Sequence, residues 1–176
     1  MPAVCAEAET TIRPLDHLAL TGADEAPALV LREGILSYKD LRTRVSRLAG
    51  WLRDTVSKEG AEDGARVASW VAKGELACLM PLAAARAGLV HVPVNPLLKR
   101  AQVAHILADS GSVLLLGTPA RLSSLEEGDL PLGCAVMSEG DALAEAASLG
   151  EALPASTADP DDLAAILYTS GSTRCV

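Results

Sequence analysis

Beyond residue 64, short apolar runs alternate with segments of helical length, and this alternation constrains the fold more than any other feature of the sequence. Two apolar runs joined by a helix are typical of a βαβ unit, whose strands pair in parallel. The predicted strands are 66–71, 89–92, 113–116, 134–137 and 163–168, and the predicted helices are 75–87, 99–109, 119–125 and 141–149. The sequence therefore predicts an α/β fold with alternating helices and mainly parallel strands.

The first third of the chain predicts smaller elements and one long helix. A short helix over 14–20 is followed by a hairpin of 28–32 and 34–37 with a glycine at its turn. Ser37 and Asp40 have the spacing of a capping box, and apolar residues then recur every three or four positions up to residue 56. A solvated helix face is the interpretation given to its arginines, Arg42, Arg44, Arg47 and Arg53.

Composition excludes several classes of protein. With 49% hydrophobic residues, 176 residues are enough to bury a core, so most of the chain is expected to fold. Two Trp, two Tyr and no Phe leave almost nothing on which nucleic-acid bases could stack. A formal net charge of -8 repels phosphate backbones. Nucleic acid is therefore not an expected partner.

The sequence indicates a cytoplasmic protein without a membrane span. Its most apolar stretch, 76–94, contains two prolines, an arginine and a histidine, and falls short of the ~20 apolar residues that cross a bilayer. The N-terminus lacks the basic and apolar regions of a secretory signal. The scattered cysteines form no C-x-x-C pair, which favours reduced thiols over a zinc site or a disulfide framework. They are Cys5, Cys78, Cys134 and Cys175.

One segment has the composition of an anion-binding loop, and it directly follows the last apolar run. Its residues are Thr169, Ser170, Gly171, Ser172 and Thr173. Glycine allows close approach of the backbone to a phosphate, and the hydroxyls can donate hydrogen bonds to phosphate oxygens. On chemistry alone the loop is either such a site or an ordinary solvated turn. The G-x-x-x-x-G-K-[ST], G-x-G-x-x-G and G-x-S-x-G patterns are absent. His17, His91 and His105 are interpreted as surface or hydrogen-bonded structural residues.

The segment from Tyr168 to Thr173 resembles the signature loop of the adenylate-forming superfamily, which includes acyl-CoA synthetases, luciferases and peptide-synthetase adenylation domains. Three more segments agree in order: 36–49 resembles the family's opening helix, 64–68 its G-D-R-V-A strand, and 87–110 its V-P-x-N-P crossover and next helix. The resemblance covers 28–173. It implies an incomplete N-terminal part of the large domain, preceded by a loose terminus with a short helix (1–27) and followed by a divergent tail (174–176).

Within the superfamily, the sequence leans toward acid–CoA ligases, since peptide-synthetase domains usually carry Asp where Asn95 stands. The resemblance implies that ATP and a carboxylic acid give an acyl-adenylate, from which CoA forms a thioester. ATP, Mg²⁺ and CoA are the implied cofactors. Thr169, Ser170, Gly171, Ser172 and Thr173 take the ATP phosphate-binding positions, while Tyr168 is expected to pack beneath them. No catalytic residue and no metal ligand is assigned.

The sequence leaves the family pattern after Thr173, where Arg174-Cys175-Val176 replaces the expected Gly and Pro-Lys-Gly. No lysine occurs beyond Lys99, and the resemblance implies that the acyl pocket, the hinge and the C-terminal lid lie outside this sequence. We therefore predict a truncated acid–CoA ligase, inactive alone, marginally stable and prone to aggregate. The alternatives are a non-catalytic nucleotide-binding or interaction fragment and the inert product of a frameshifted gene.

Overall fold

A computed structural model describes residues 12–58, 60, 63–159 and 161–169 of the chain. The described helices are a 3₁₀ helix at Leu15–Leu20, α1 at Tyr38–Lys58, α2 at Glu75–Arg86, α3 at Arg100–Ser110, α4 at Pro119–Leu122 and α5 at Glu139–Leu149. The strands are β1 at Pro27–Leu31, β2 at Gly34–Ser37, β3 at Arg66–Trp70, β4 at Val90–Pro93, β5 at Ser112–Gly117 and β6 at Ala135–Ser138. No helix within these ranges is both long and apolar enough to cross a membrane.

The central sheet is parallel, with the strand order β4-β3-β5-β6, and this confirms the predicted α/β class. Val67 of β3 lies opposite His91 on one side and Leu114 on the other. The chain passes from β3 through α2 to β4, then returns across β3 through α3 to β5. Because such crossovers are right-handed, this reversal of direction places α2 and α3 on opposite faces of the sheet.

The two faces of the sheet carry separate apolar clusters, because side chains alternate along each strand. Val67, Leu114 and Leu116 belong to the larger cluster, with the buried faces of α1, α2 and α5. Ala68 and Leu115 belong to the smaller cluster, which α3 covers. Leucine, valine and alanine supply most of both clusters, as the shortage of aromatic residues requires.

Helix α1 begins as predicted, with a capping box. The Asp40 N–H donates to Ser37 Oγ over 3.1 Å, and the Ser37 N–H donates to Asp40 Oδ2 over 3.2 Å. Its predicted apolar face is buried, and it packs against α2 and α5. At Gly50 the chain after α5 comes so close that a Cβ atom would lie 1.8 Å from the Glu151 carbonyl oxygen. Glycine is thus required here for packing.

The predicted solvated face of α1 is confirmed for Arg44, Arg47 and Arg53, which are exposed, but three of the four arginines also contact neighbouring elements. Arg42 donates to the Gly22 carbonyl over 3.1 Å and pairs with Asp24. Arg44 pairs with Glu75 at the start of α2, and Arg47 donates to the Ala147 carbonyl near the end of α5. Since long side chains reach beyond their own helix, a polar stripe can connect neighbouring elements while its charged groups stay near solvent.

The predicted buried strand 163–168 is also wrong in part. The segment lies parallel to β4 and forms one bridge, between His91 and Ala165. Leu163 is 59% exposed and Leu167 is 73% exposed, whereas Ile166 packs on the α3 side. In the described chain, β4 is the only strand beside this segment, and protein covers only one face of the segment. The side chains that point to the other face therefore stay exposed.

Candidate functional site at the carboxyl edge of the sheet

The candidate site lies where the parallel strands end. The segment 163–168 runs in the same direction as β4, so Thr169 leaves the sheet at the edge where β3, β4 and β5 also end. Ligands of open α/β sheets bind at this carboxyl edge, particularly where the connections that leave two adjacent strands run in opposite directions. Here the connection from β3 leads to β4 on one side, and the connection from β5 leads to β6 on the other. The topology therefore brings Thr169 to the edge suited to anion binding.

Of the five predicted phosphate-loop residues, the described chain includes only Thr169, which is exposed. Ser170, Gly171, Ser172 and Thr173 lie outside the described residues, and their predicted role stays a prediction.

Tyr168 packs beneath this point, as predicted, and also makes a polar contact. Its ring belongs to the α3-side cluster, and its hydroxyl donates to Asp109 Oδ2 over 2.6 Å. Partial burial of the phenol and the hydrogen bond to the Asp109 carboxylate raise the pKa of Tyr168 to about 12. Tyr168 is therefore a neutral donor at pH 7, and it ties the last described residues to the end of α3.

A positive charge lies at the same edge. The Arg121 guanidinium stands 5.9 Å from the centroid of the Trp70 ring, at the end of β3. It donates to Thr118 Oγ1 over 3.3 Å, after β5, and to the Pro96 carbonyl over 3.4 Å, after β4. In the described part of the chain, no carboxylate lies within ion-pair distance of Arg121. Sequence reasoning missed this residue, since nothing in its local pattern distinguishes it.

Asn95, which suggested the acid–CoA ligase subfamily, has a local structural role. Its Oδ1 accepts a hydrogen bond from the Leu97 N–H over 2.9 Å in the loop after β4. An aspartate carboxylate can accept the same bond, because Asn and Asp both form this kind of turn. The contact therefore does not distinguish an acid–CoA ligase from other adenylate-forming enzymes.

The positions of the three histidines fit their interpretation as surface or hydrogen-bonded structural residues. His91 is buried, and its Nε2 lies 2.8 Å from Ser69 Oγ. Burial lowers the pKa of His91 to about 4, so its ring is neutral at pH 7. His17 contacts the Ser156 carbonyl oxygen, and His105 is exposed. The Ser69–His91 pair lies within the sheet and connects β3 to β4.

A cleft of about 670 Å³ lies at the opposite, amino edge of the sheet, beside Gly64, Gly88 and Leu163. It is remote from the carboxyl edge because a full strand separates the two, and we therefore assign it no part in phosphate binding. Within the described ranges, no group of three or more His, Cys, Asp or Glu side chains could hold a metal ion.

The sequence comparison identifies the family. A family model described as AMP-binding enzyme matches residues 16–173, and the chain belongs to this family. The L-proline–[L-prolyl-carrier protein] ligase of Pseudomonas fluorescens is 35% identical over 150 residues, which are 83% of this chain and 29% of that protein. Surfactin synthase subunit 3 of Bacillus subtilis is 30% identical over 155 residues, covering 88% of this chain and 12% of the synthase.

Solved structures agree with this assignment. Apo MatB from Rhodopseudomonas palustris superposes with a TM-score of 0.76 at 27% identity, covering 92% of this chain and 33% of MatB. The ATP-bound form of MatB gives the same TM-score at 28% identity. The chain spans about a third of the length of these relatives or less. Both carrier-protein ligases and peptide synthetases match it, so membership of the acid–CoA ligase subfamily is not established.

Proposed function

We propose that this chain supplies the ATP phosphate-binding part of a ligase that activates a carboxylic acid as its acyl-adenylate. The observation that carries the proposal is the family match over 16–173, which includes the loop 169–173. The departure of Thr169 from the carboxyl edge supports it, and Arg121 adds positive charge there. In the proposed reaction, backbone dipoles and hydroxyls of the loop stabilise the triphosphate while the carboxylate attacks the α-phosphorus and pyrophosphate leaves.

Magnesium enters this proposal with ATP. Divalent cations neutralise charge on transferring phosphoryl groups, and the described residues offer no cluster of side chains that would hold the ion independently. CoA, or the pantetheine thiol of a carrier protein, is the proposed acceptor of the acyl group. The sequence resemblance favours CoA as the acceptor, whereas one sequence relative is named as a carrier-protein ligase.

We further propose that the 176 residues alone bind ATP without catalysing adenylate formation. Catalysis requires several groups held around the reacting atoms, and the chain spans only 29% of the L-proline ligase and 33% of MatB. In this proposal the 176 residues bind ATP both alone and as part of a longer ligase. Only the longer ligase would catalyse pyrophosphate exchange.

The proposal is tested by titrating the purified chain with Mg²⁺-ATP and comparing it with Gly171→Val. A β-branched side chain at Gly171 would keep the backbone away from the phosphates, so we expect affinity to fall at least about tenfold. Ser123→Ala, an exposed hydroxyl in another loop, is the matched control and should bind as the original chain does. Equal affinity for all three proteins would reject the loop as the phosphate site.

Activity is tested on a longer protein that contains this chain. Carboxylic-acid-dependent exchange of pyrophosphate into ATP is expected from the longer protein and not from the 176 residues. Product analysis with CoA and with a pantetheinylated carrier protein then decides between the two acceptors. An exchange reaction supported by the 176 residues alone would refute the proposal that they are inactive.

A further inference from the structure

Two consecutive residues of the 3₁₀ helix hold both backbone polar groups of a single distant residue. The Ser156 N–H donates to Asp16 Oδ2 over 3.0 Å, and His17 Nε2 lies 2.8 Å from the Ser156 carbonyl oxygen. His17 acts as the donor when its Nε2 carries the proton. We call these two contacts the Ser156 clamp. Together they fix the position and the direction of the chain at residue 156.

The clamp is anchored in the core of the molecule. Asp16 is fully buried, and its Oδ2 also accepts a hydrogen bond from Arg86 Nε over 3.0 Å. Arg86 lies in the last turn of α2, and its side chain is only 3% exposed. The 3₁₀ helix packs against both α1 and α2. Ser156 is therefore held by the same body that carries the parallel sheet.

The chain that follows Ser156 has few contacts of its own. Leu163 and Leu167 are exposed. Two backbone hydrogen bonds connect the segment to β4: the His91 N–H donates to the Ala164 carbonyl, and the Ile166 N–H donates to the His91 carbonyl. Ile166 and Tyr168 pack on the α3 side. Because burial contributes little here, the path of 157–168 depends strongly on where the chain enters it.

We propose that Asp16 and His17 are positioning residues for the ATP phosphate loop, acting through Ser156 and the segment 157–168. This inference rests on the phosphate-binding function proposed above. Neither residue is proposed to touch the nucleotide, since both lie near the amino edge of the sheet while Thr169 leaves at the carboxyl edge. Their role is to fix the position beside β4 of the segment that ends at Thr169.

The test compares His17→Leu with His17→Gln in the 176-residue chain. Leucine removes the donor to the Ser156 carbonyl, whereas the amide of glutamine can donate in its place. Hydrogen exchange of peptides covering 156–168 is expected to become about tenfold faster in His17→Leu, with α1 and α2 unchanged. The affinity for Mg²⁺-ATP should fall by about the same factor, and His17→Gln should restore both quantities.

A second variant removes the other half of the clamp without leaving a buried charge. Asp16→Leu combined with Arg86→Met replaces the ion pair by apolar side chains, which proteins often tolerate well. Faster exchange confined to 156–168 is again expected, with weaker ATP binding. This variant keeps the inference testable if His17→Leu does not fold.

Three results would overturn the inference. One is unchanged exchange of 156–168 in folded variants that have lost either contact. Another is faster exchange spread equally over α1 and α2, which would mean general destabilisation. The third is unchanged ATP affinity despite faster local exchange. If the original chain binds no ATP, the proposed phosphate-binding function fails with the positioning role, whereas the exchange data still report whether the clamp holds the segment.

Discussion

In the described part of the chain, two buried pairs of polar side chains connect elements that are distant in sequence. Asp16 and Arg86 form an ion pair between the 3₁₀ helix and α2, and Ser69 and His91 form a hydrogen bond between β3 and β4. A buried polar group is costly unless it has a partner, so each pair stabilises the structure only while both members are present.

His91 should make stability depend on pH in a defined window. Its pKa is about 4 in the folded protein against 6.5 as its ordinary value. Between these values the unfolded state binds more protons, so the free energy of unfolding is greatest above pH 6.5 and decreases as the pH falls toward 4. The loss can reach about 3 kcal/mol.

Urea unfolding at pH 7, 5.5 and 4 measures this dependence, and His91→Gln should flatten it over the same window. His105→Gln is the matched control, because His105 is exposed and should leave the dependence unchanged. If the His91 variant keeps the full dependence of the original chain, another group must be responsible.

Asp16→Leu alone should destabilise the chain by about 3–5 kcal/mol, because it leaves the buried Arg86 guanidinium without its partner. Adding Arg86→Met should recover much of that loss. Thermal or urea unfolding of the single and double variants measures both steps. A double variant no more stable than Asp16→Leu would show that the charge of Arg86 is not the source of the loss.

At the scale of elements, close approach of backbones decides how α1 and α5 pack. The chain that leaves α5 crosses α1 at Gly50, where the Glu151 carbonyl occupies the space of a side chain. Ser46 Oγ donates to the Leu153 carbonyl over 2.5 Å, and the Leu153 N–H donates back to the Ser46 carbonyl over 3.2 Å. This crossing directs the chain toward Ser156 and so contributes to the path of the candidate site.

Gly50→Ala should destabilise the chain by about 1–3 kcal/mol, because the new methyl group must displace the Glu151 backbone. Gly140→Ala in α5 is the matched control, since the nearest atom to its Cβ would be Ser138 Oγ at 4.0 Å. Alanine is favoured over glycine in helices by up to about 1 kcal/mol, so the control should be neutral or stabilising. Equal effects at both positions would contradict the packing argument.

At the scale of the whole molecule, the described sheet has an open edge beyond the segment 163–168. Leu163 and Leu167 are exposed there, and in the described chain β4 is the segment's only strand neighbour. An exposed apolar edge is a ready template for association between chains. We expect association between chains to begin at this edge, and both the tendency to aggregate and marginal stability stay predictions.

Leu163→Lys combined with Leu167→Lys should slow aggregation of the purified chain while leaving its melting temperature within a few degrees. Charged residues on an edge oppose pairing between chains, and neither leucine contributes to the buried clusters. Light scattering over time measures the effect. The control is Leu132→Lys, at a fully exposed leucine located in a loop. Equal improvement by the control would attribute aggregation to surface hydrophobicity in general.

Much of the architecture is predictable from local patterns. The alternation of apolar runs and helices predicted a mainly parallel sheet, and Ser37 with Asp40 predicted the start of α1. The motifs around residue 168 predicted the adenylate-forming family, which the match over 16–173 confirms. These features are encoded by neighbouring residues, so periodicity and spacing reveal them. The proposed domain boundaries at residues 27 and 173, and the roles of Ser170 to Thr173, stay predictions.

Other features depended on contacts between distant parts of the chain. Sequence order does not reveal that β3 lies between β4 and β5, or that Arg121 comes to stand over Trp70. The buried Asp16–Arg86 pair spans 70 positions, and the Ser156 clamp spans 139 and 140. An apolar run such as 163–168 is fully buried only where protein covers both faces of the strand. The sequence alone determined most of the elements and the family, because local pattern encodes both. Only the tertiary structure decided which polar groups meet and which apolar residues stay exposed, because those outcomes depend on the packing of distant segments.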